Sequence, residues 1–225
     1  MAMDLVVIDM IAAIKAEKAL AAGGVGTARD LVTRTTGEAV RGVLEKQVTG
    51  PGGAMVFLLD FGRIGIIDYS CADEVIAKIV SRLVSNEYGD RYLVLMGLNE
   101  NQKENIEVAL ERKDLSVMAI VSDAAALSLP PLKGRGGIKI PQGRWQRIGS
   151  LNPYLTQTLN IVTERGRISA KELGEMLKLE INASSTRLIN LHKKHLVVRA
   201  DEPLKEGGRQ FLYESLEHFV MKGEG

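Results

Sequence analysis

The sequence reads as an α/β protein, a sheet with packed helices, followed by a smaller α+β module. Three observations predict this. The run Met55-Val56-Phe57-Leu58-Leu59-Asp60-Phe61 has the length and composition of a fully buried strand closed by a carboxylate. A short loop then leads to Val75, Ile76, Ile79, Val80, Leu83 and Val84, spaced as the core stripe of a helix. Two further apolar runs, Tyr92–Met96 and 116–121, flank an amphipathic stretch over 101–113 that runs through Ile106, Val108, Ala109 and Leu110. Strand, helix, strand, helix, strand with short connections implies parallel pairing through right-handed crossovers.

Taken in order, residues 4–14 fit either a strand or a short helix, because the apolar run is too short for periodicity to decide. Ala21-Ala22-Gly23-Gly24-Val25-Gly26 reads as a loop, and a helix is expected over 36–46 with Ala39, Val40, Val43 and Leu44 on one face. Thr49-Gly50-Pro51-Gly52-Gly53 ends it and turns the chain into the strand at Met55. Ahead of the Val75 stripe, Ser70 is a capping residue for the first helical turn. Asp73, three residues on, suits the positive end of the helix dipole.

Composition is that of an ordinary globular chain, 45% hydrophobic and 25% charged over 225 residues. No run of eighteen apolar residues occurs, so no membrane span or membrane partner is expected, and Asp4 and Asp9 argue against a secretory signal. A single cysteine excludes an internal disulfide and fits a cytoplasmic setting. Charge is uneven: residues 1–130 hold 13 Lys/Arg against 18 Asp/Glu, and residues 131–225 hold 16 against 10. An acidic half joined to a basic half suggests two domains, with nucleic acid as a partner for the second. Three parts are expected: a domain over 1–122, a basic linker over 123–150 and a second domain over 151–225. The linker holds five Lys/Arg and no acid between 131 and 150, with Trp145 as its packing anchor. Its Lys and Arg, beside glycines and an aromatic, are a second candidate contact to phosphate.

The second domain opens with a helix from Pro153, followed by Ser169 and Glu172 in capping-box spacing. A further helix is expected from an Asn182 cap to about His195, then strands at 196–199 and 209–213. Three helices and a hairpin make a winged helix-turn-helix pattern, and residues 151–215 resemble the winged-helix domains of bacterial regulators. Projected at 100° per residue, Thr186, Arg187, Asn190, Lys193 and Lys194 share an exposed face. Such a face suits double-stranded DNA, with Arg187 and Asn190 on base edges and the lysines on phosphates. Asp201, Glu202 and Glu206, offset by Lys205 and Arg209, make the hairpin tip acidic. That favours the alternative, a module that docks a protein.

In the first domain, Leu59-Asp60-Phe61, Ser70-Cys71-Ala72-Asp73-Glu74 and Leu31-Val32-Thr33-Arg34 with Gly37 resemble the STAS fold of anti-anti-sigma factors. The resemblance is closer to bacterial STAS-like domains and covers roughly residues 28–122. It implies an α/β domain that senses a signal, binds a protein partner or associates with itself, with Asp60, Asp68, Tyr69, Ser70 and Cys71 as partner or regulatory positions. STAS antagonists place a phosphorylated serine directly after the Asp that precedes the helix. Here Tyr69 follows Asp68 and Ser70 comes one place later, so Ser70 reads as a cap. Cys71 near a helix start is a candidate redox thiol against the plainer reading of a buried structural one. Arg34 and Asp60 are expected to carry a structural or partner role, with an Arg–Asp pair bracing the sheet end as one form of it. No phosphate loop, metal-ligand spacing or nucleophile constellation is present, so no enzyme, metal or cofactor is expected. The reading is a transcriptional regulator, with a partner-switching or scaffold protein as its rival.

Overall fold

The computed structural model describes residues 4–16, 29–52, 55–122, 132–203 and 209–222. The loop expected at 21–26, Pro130 and Pro131, and the hairpin tip with Lys205 and Glu206 lie outside them. The chain forms two compact units: one from the segments up to residue 132 together with 138–150, the other from 133–137 and 151 onward.

The first unit is α/β. Strand β1 (Asp4–Asp9) runs directly into α1 (Met10–Ala16), so the ambiguous N-terminal stretch is both a strand and a helix. The Asp9 carboxylate accepts from the Ile11 N–H at 3.0 Å where the chain changes from one to the other. Helix α2 (Arg34–Val48), β2 (Met55–Asp60), a helical run from Tyr69 to Val84, β3 (Arg91–Met96), α5 (Glu100–Glu111) and β4 (Ser116–Val121) follow. The helical run comprises α3 (Tyr69–Ala72), a π-helical turn (Asp73–Ala77) and α4 (Lys78–Val84). Strands β1, β2, β3 and β4 pair in that order and all in parallel, the pairing expected of strands joined through helices.

The helices pack on the sheet face that carries Phe57, Leu59, Leu93, Leu95, Val117 and Ala119. The opposite face, with Val56, Leu58, Tyr92, Val94, Met118 and Ile120, is buried as well. Burial on both faces is why these strands read as continuous apolar runs rather than as alternation.

The stretch expected as a basic linker is not loose chain throughout. After two short strands, β5 (Leu132–Lys133) and β6 (Lys139–Ile140), β7 (Arg144–Gly149) joins the sheet antiparallel to β4 as its edge, with Trp145 half-buried opposite Ile120. Gly149 makes this junction possible. Its φ is 90°, and a Cβ there would lie 2.3 Å from the Leu115 carbonyl oxygen.

The second unit holds α6 (Pro153–Arg165), β8 (Arg167–Ser169), α7 (Ala170–Leu177), α8 (Ile181–Lys193), β9 (Val197–Pro203), β10 (Arg209–Ser215) and α9 (Leu216–Met221). Its strands form an antiparallel sheet in the order β8-β10-β9. The expected capping box forms: Ser169 Oγ accepts from the Glu172 N–H, and the Glu172 carboxylate accepts from the Ser169 N–H at 2.7 Å. Helices α7 and α8 meet closely because Gly174 has no side chain. A Cβ there would stand 2.9 Å from the Leu179 carbonyl oxygen and 3.1 Å from Ser184 Oγ. Helix α8 starts at Ile181 rather than beyond an Asn182 cap; Glu180 holds the cap position and makes no side-chain capping bond. It ends in a Schellman motif, with His195 left-handed at φ 55°, its N–H on the His192 carbonyl and the Leu196 N–H on that of Leu191.

Candidate functional site

In the first unit, the motif residues of two separate helix starts converge. Asp68 is the N-cap of α3: one carboxylate oxygen accepts from the Cys71 N–H at 2.7 Å and the other from the Thr33 N–H at 3.0 Å. The cap is therefore Asp68 and not Ser70, which lies inside the helix. Both are capping residue types, and only the link to Thr33 distinguishes them. Thr33 caps α2 with φ 74° and ψ 145°, a backbone region that β-branched residues avoid. The carboxylate of Asp68 on its N–H and the Cys71 thiol, which donates to its carbonyl at 2.8 Å, hold it there. Alongside, residues 29–31 pair with 65–67: the Leu31 N–H donates to the Ile66 carbonyl at 2.7 Å and the Asp68 N–H to the Leu31 carbonyl at 2.9 Å.

Beneath this hub lies a charge network. Glu74, 1% exposed, receives Arg34 at 3.3 Å, Arg41 at 3.1 Å and Lys78 at 2.6 Å. Burial alone would raise its pKa, but the hydrogen bonds from Lys78 and Arg41 and their charges outweigh it and hold the carboxyl below the usual range. Asp73 pairs with Lys113 at 2.7 Å and Arg34 at 3.5 Å. Glu45 gathers Arg41 at 3.1 Å, Arg82 at 2.7 Å and the Tyr88 hydroxyl at 2.8 Å. Asp73 and Glu74 both sit in the π-helical turn, the kind of local irregularity often found at functional sites. Gly37 allows the close packing of α2 on this turn, since a Cβ there would lie 2.9 Å from that of Glu74.

The other first-unit positions are placed as follows. Asp60 stands apart from the hub, where its carboxylate accepts from the Gly62 N–H at 2.9 Å and shapes the turn after β2. Arg34 pairs with Asp73 and Glu74, so the expected bracing pair with Asp60 does not form. Tyr69 is half-buried beneath the Arg112 guanidinium, 4.7 Å from its ring centre. Cys71 is buried, and burial together with the nearby Asp68 charge pushes its thiol up to about 12. One signal for the network is present in the sequence itself: Gly37, Arg41 and Glu45 recur every four residues on one side of α2.

In the second unit, Thr186, Asn190 and Lys193 are exposed on α8, and Lys194 is partly exposed just past its end. The Thr186 hydroxyl donates to the Asn182 carbonyl at 2.7 Å, as a helix-surface threonine does. Arg187 departs from the expected face. Its guanidinium stacks 5.2 Å over the Tyr154 ring and reaches Gln157 at 3.5 Å, so it lies against α6. Two acids of the β9–β10 hairpin are paired: Arg209 grips Asp201 through two contacts of 2.9 and 2.8 Å, and Arg167 pairs with Glu202 at 3.4 Å. Of the basic residues expected in the linker, Arg135 stacks on Phe219 at 4.6 Å, and Arg144 and Arg147 belong to β7, where Arg144 donates to Gln146 at 3.2 Å.

Among the described residues, no group of three or more His, Cys, Asp or Glu side chains is arranged to hold a metal, and no helix is long and apolar enough to cross a membrane.

No protein-family model matches the chain, and no curated protein matches it. One solved structure that resembles part of it is described as a possible transcriptional regulator from Methanosarcina mazei Go1. The two share 21% identity over 29% of this chain and 56% of that one, with a TM-score of 0.27. A likeness this partial carries no argument about this chain's architecture or activity.

Proposed function

We propose that the chain is a non-enzymatic cytoplasmic regulator in which a STAS-like α/β unit is coupled to a winged helix-turn-helix unit that binds double-stranded DNA. The observation that carries the reading is α8. It is the second helix of a tight helix-turn-helix built on Gly174 and Ser184, and it leaves Thr186, Asn190 and Lys193 exposed. An exposed amide with flanking ammonium groups on such a helix suits base edges and phosphates in a major groove. The pairing of Asp201 with Arg209 and of Glu202 with Arg167 removes much of the repulsion that an acidic wing would exert on phosphate. In the first unit, the Asp68–Thr33–Cys71 hub is the proposed partner or regulatory site, because strained backbone held by side chains is characteristic of such sites.

Fluorescence anisotropy of the full chain with a randomised duplex at low salt tests the reading. Saturable binding that weakens in Asn190→Ala and in Lys193→Ala supports it, and no binding at low salt refutes it. The rival, a winged helix that docks a protein, is favoured by Tyr154 and Ile181, which are 66% and 58% exposed in the second unit. A stable stoichiometric protein complex broken by Ile181→Asp, with no DNA binding, would replace the first reading.

A further inference from the structure

A cavity of about 220 Å³ opens in the second unit, away from the α8 face residues, between the end of α6, strand β8 and helix α7. It is lined by Arg165, Arg167, Ile168, Glu172, Glu175 and Met176. It is half open to solvent and of a size for one small molecule rather than a polymer.

The charges around it are not all committed. Glu172 is occupied by the cap of α7, where both the N–H and the hydroxyl of Ser169 donate to it at 2.7 Å; those bonds hold its carboxyl below the usual range. Arg167 uses one terminal nitrogen on Glu202 at 3.4 Å, while its Nε is enclosed and has no hydrogen-bond partner. Arg165 and Glu175 are exposed and Arg165 lies near enough to Glu172 for its charge to help hold that carboxylate ionised. The lining therefore presents two guanidinium groups, the carboxylate of Glu175 beside the cap-bound one of Glu172, and two apolar side chains, the buried Ile168 and the 41% exposed Met176.

We infer that this cavity binds a free α-amino acid with an apolar side chain. The ligand carboxylate meets Arg165 and Arg167, its ammonium meets Glu175, and its side chain lies on Ile168 and Met176. Arginine suits the first contact because its planar fork binds carboxylates through paired hydrogen bonds. The inference concerns ligand binding alone and stands whether or not α8 binds DNA.

Isothermal titration calorimetry of the full chain with L-leucine, 4-methylpentanoate and L-leucinamide tests it. Leucine has nine heavy atoms, and the two analogues lack its ammonium and its carboxylate respectively. Saturable binding of leucine is expected, with both analogues weaker by about tenfold or more, the effect of losing one charge-assisted contact. Arg165→Gln should weaken leucine and 4-methylpentanoate together, and Glu175→Gln should weaken leucine while sparing 4-methylpentanoate. Both side chains are exposed, so unchanged circular dichroism is expected and separates lost binding from lost structure. Absence of saturation with leucine, methionine and alanine at millimolar concentrations would overturn the inference. So would leucine binding that both substitutions leave unchanged, or 4-methylpentanoate binding as tightly as leucine.

Discussion

Glu74→Gln isolates the charge network beneath the motif hub. Glu74 is 1% exposed and takes three cations within 3.3 Å, so the neutral amide leaves Arg41, 14% exposed at its side chain, with Glu45 as its remaining partner. Breaking a buried pair by removing one member costs about 3–5 kcal/mol. Arg34 and Lys78 are 59% and 39% exposed and regain water, which lowers the expected loss to about 2–3 kcal/mol. Urea unfolding followed by Trp145 fluorescence measures it, because the chain's one tryptophan lies in β7 of the first unit. The pH dependence has a definite sign. The folded carboxyl of Glu74 titrates below its ordinary value, so its contribution is complete above ~4.3 and is lost as pH falls through the lower folded value. The gap between wild type and Glu74→Gln is therefore flat from pH 7 to about 5 and narrows below about 4. A loss under about 0.5 kcal/mol, the range of an ordinary surface substitution, or a gap that does not narrow in acid, would refute the reasoning.

Two glycines of α2 give opposite predictions. Gly42→Ala, with nothing within 4 Å of the new Cβ, should stabilise by about 0.8–1 kcal/mol, whereas Gly37→Ala should destabilise by about 1 kcal/mol because the clash with Glu74 exceeds the gain in helix propensity. Urea midpoints of the two variants check the signs. Cys71, with its thiol at about 12, should be inert to a thiol reagent at pH 8 in the native protein, where only about one in ten thousand is thiolate, and should react at once in denaturant. Rapid stoichiometric labelling of the native protein would contradict that. Arg91→Lys should cost about 2–3 kcal/mol by thermal or urea unfolding, since one ammonium cannot replace the guanidinium bonds to the carbonyls of Val48, Gly50 and Gly52 at 3.1–3.2 Å.

The sheet was legible wherever one period governed a whole element. Strands β2, β3 and β4 and helix α5 fall close to their predicted places because each is a continuous apolar run or a sustained stripe. Residues 4–14 were ambiguous because a six-residue strand passes straight into a seven-residue helix, so no window holds a single period. Strand β7 was hidden among glycines and basic residues, since an edge strand with one paired neighbour needs no apolar alternation. At the site, the motif residues were visible but their partners were not. Asp68 and Ser70 are equivalent as caps until Thr33 arrives from 35 residues away. Arg187 projects onto the exposed side of α8, but Tyr154 and Gln157 of α6 claim it, a contact no helical projection contains.

The central claim, a DNA-reading face on α8, is tested most directly by the salt dependence of duplex binding for wild type beside the Lys193→Ala/Lys194→Ala variant. Each phosphate contact adds about −0.9 to the slope of log affinity against log salt, so the double variant should be shallower by up to about 1.8. Arg187→Ala, whose side chain already rests on Tyr154, should leave the slope nearly unchanged. Equal slopes for wild type and the double variant would contradict the account and move any DNA contact off this helix.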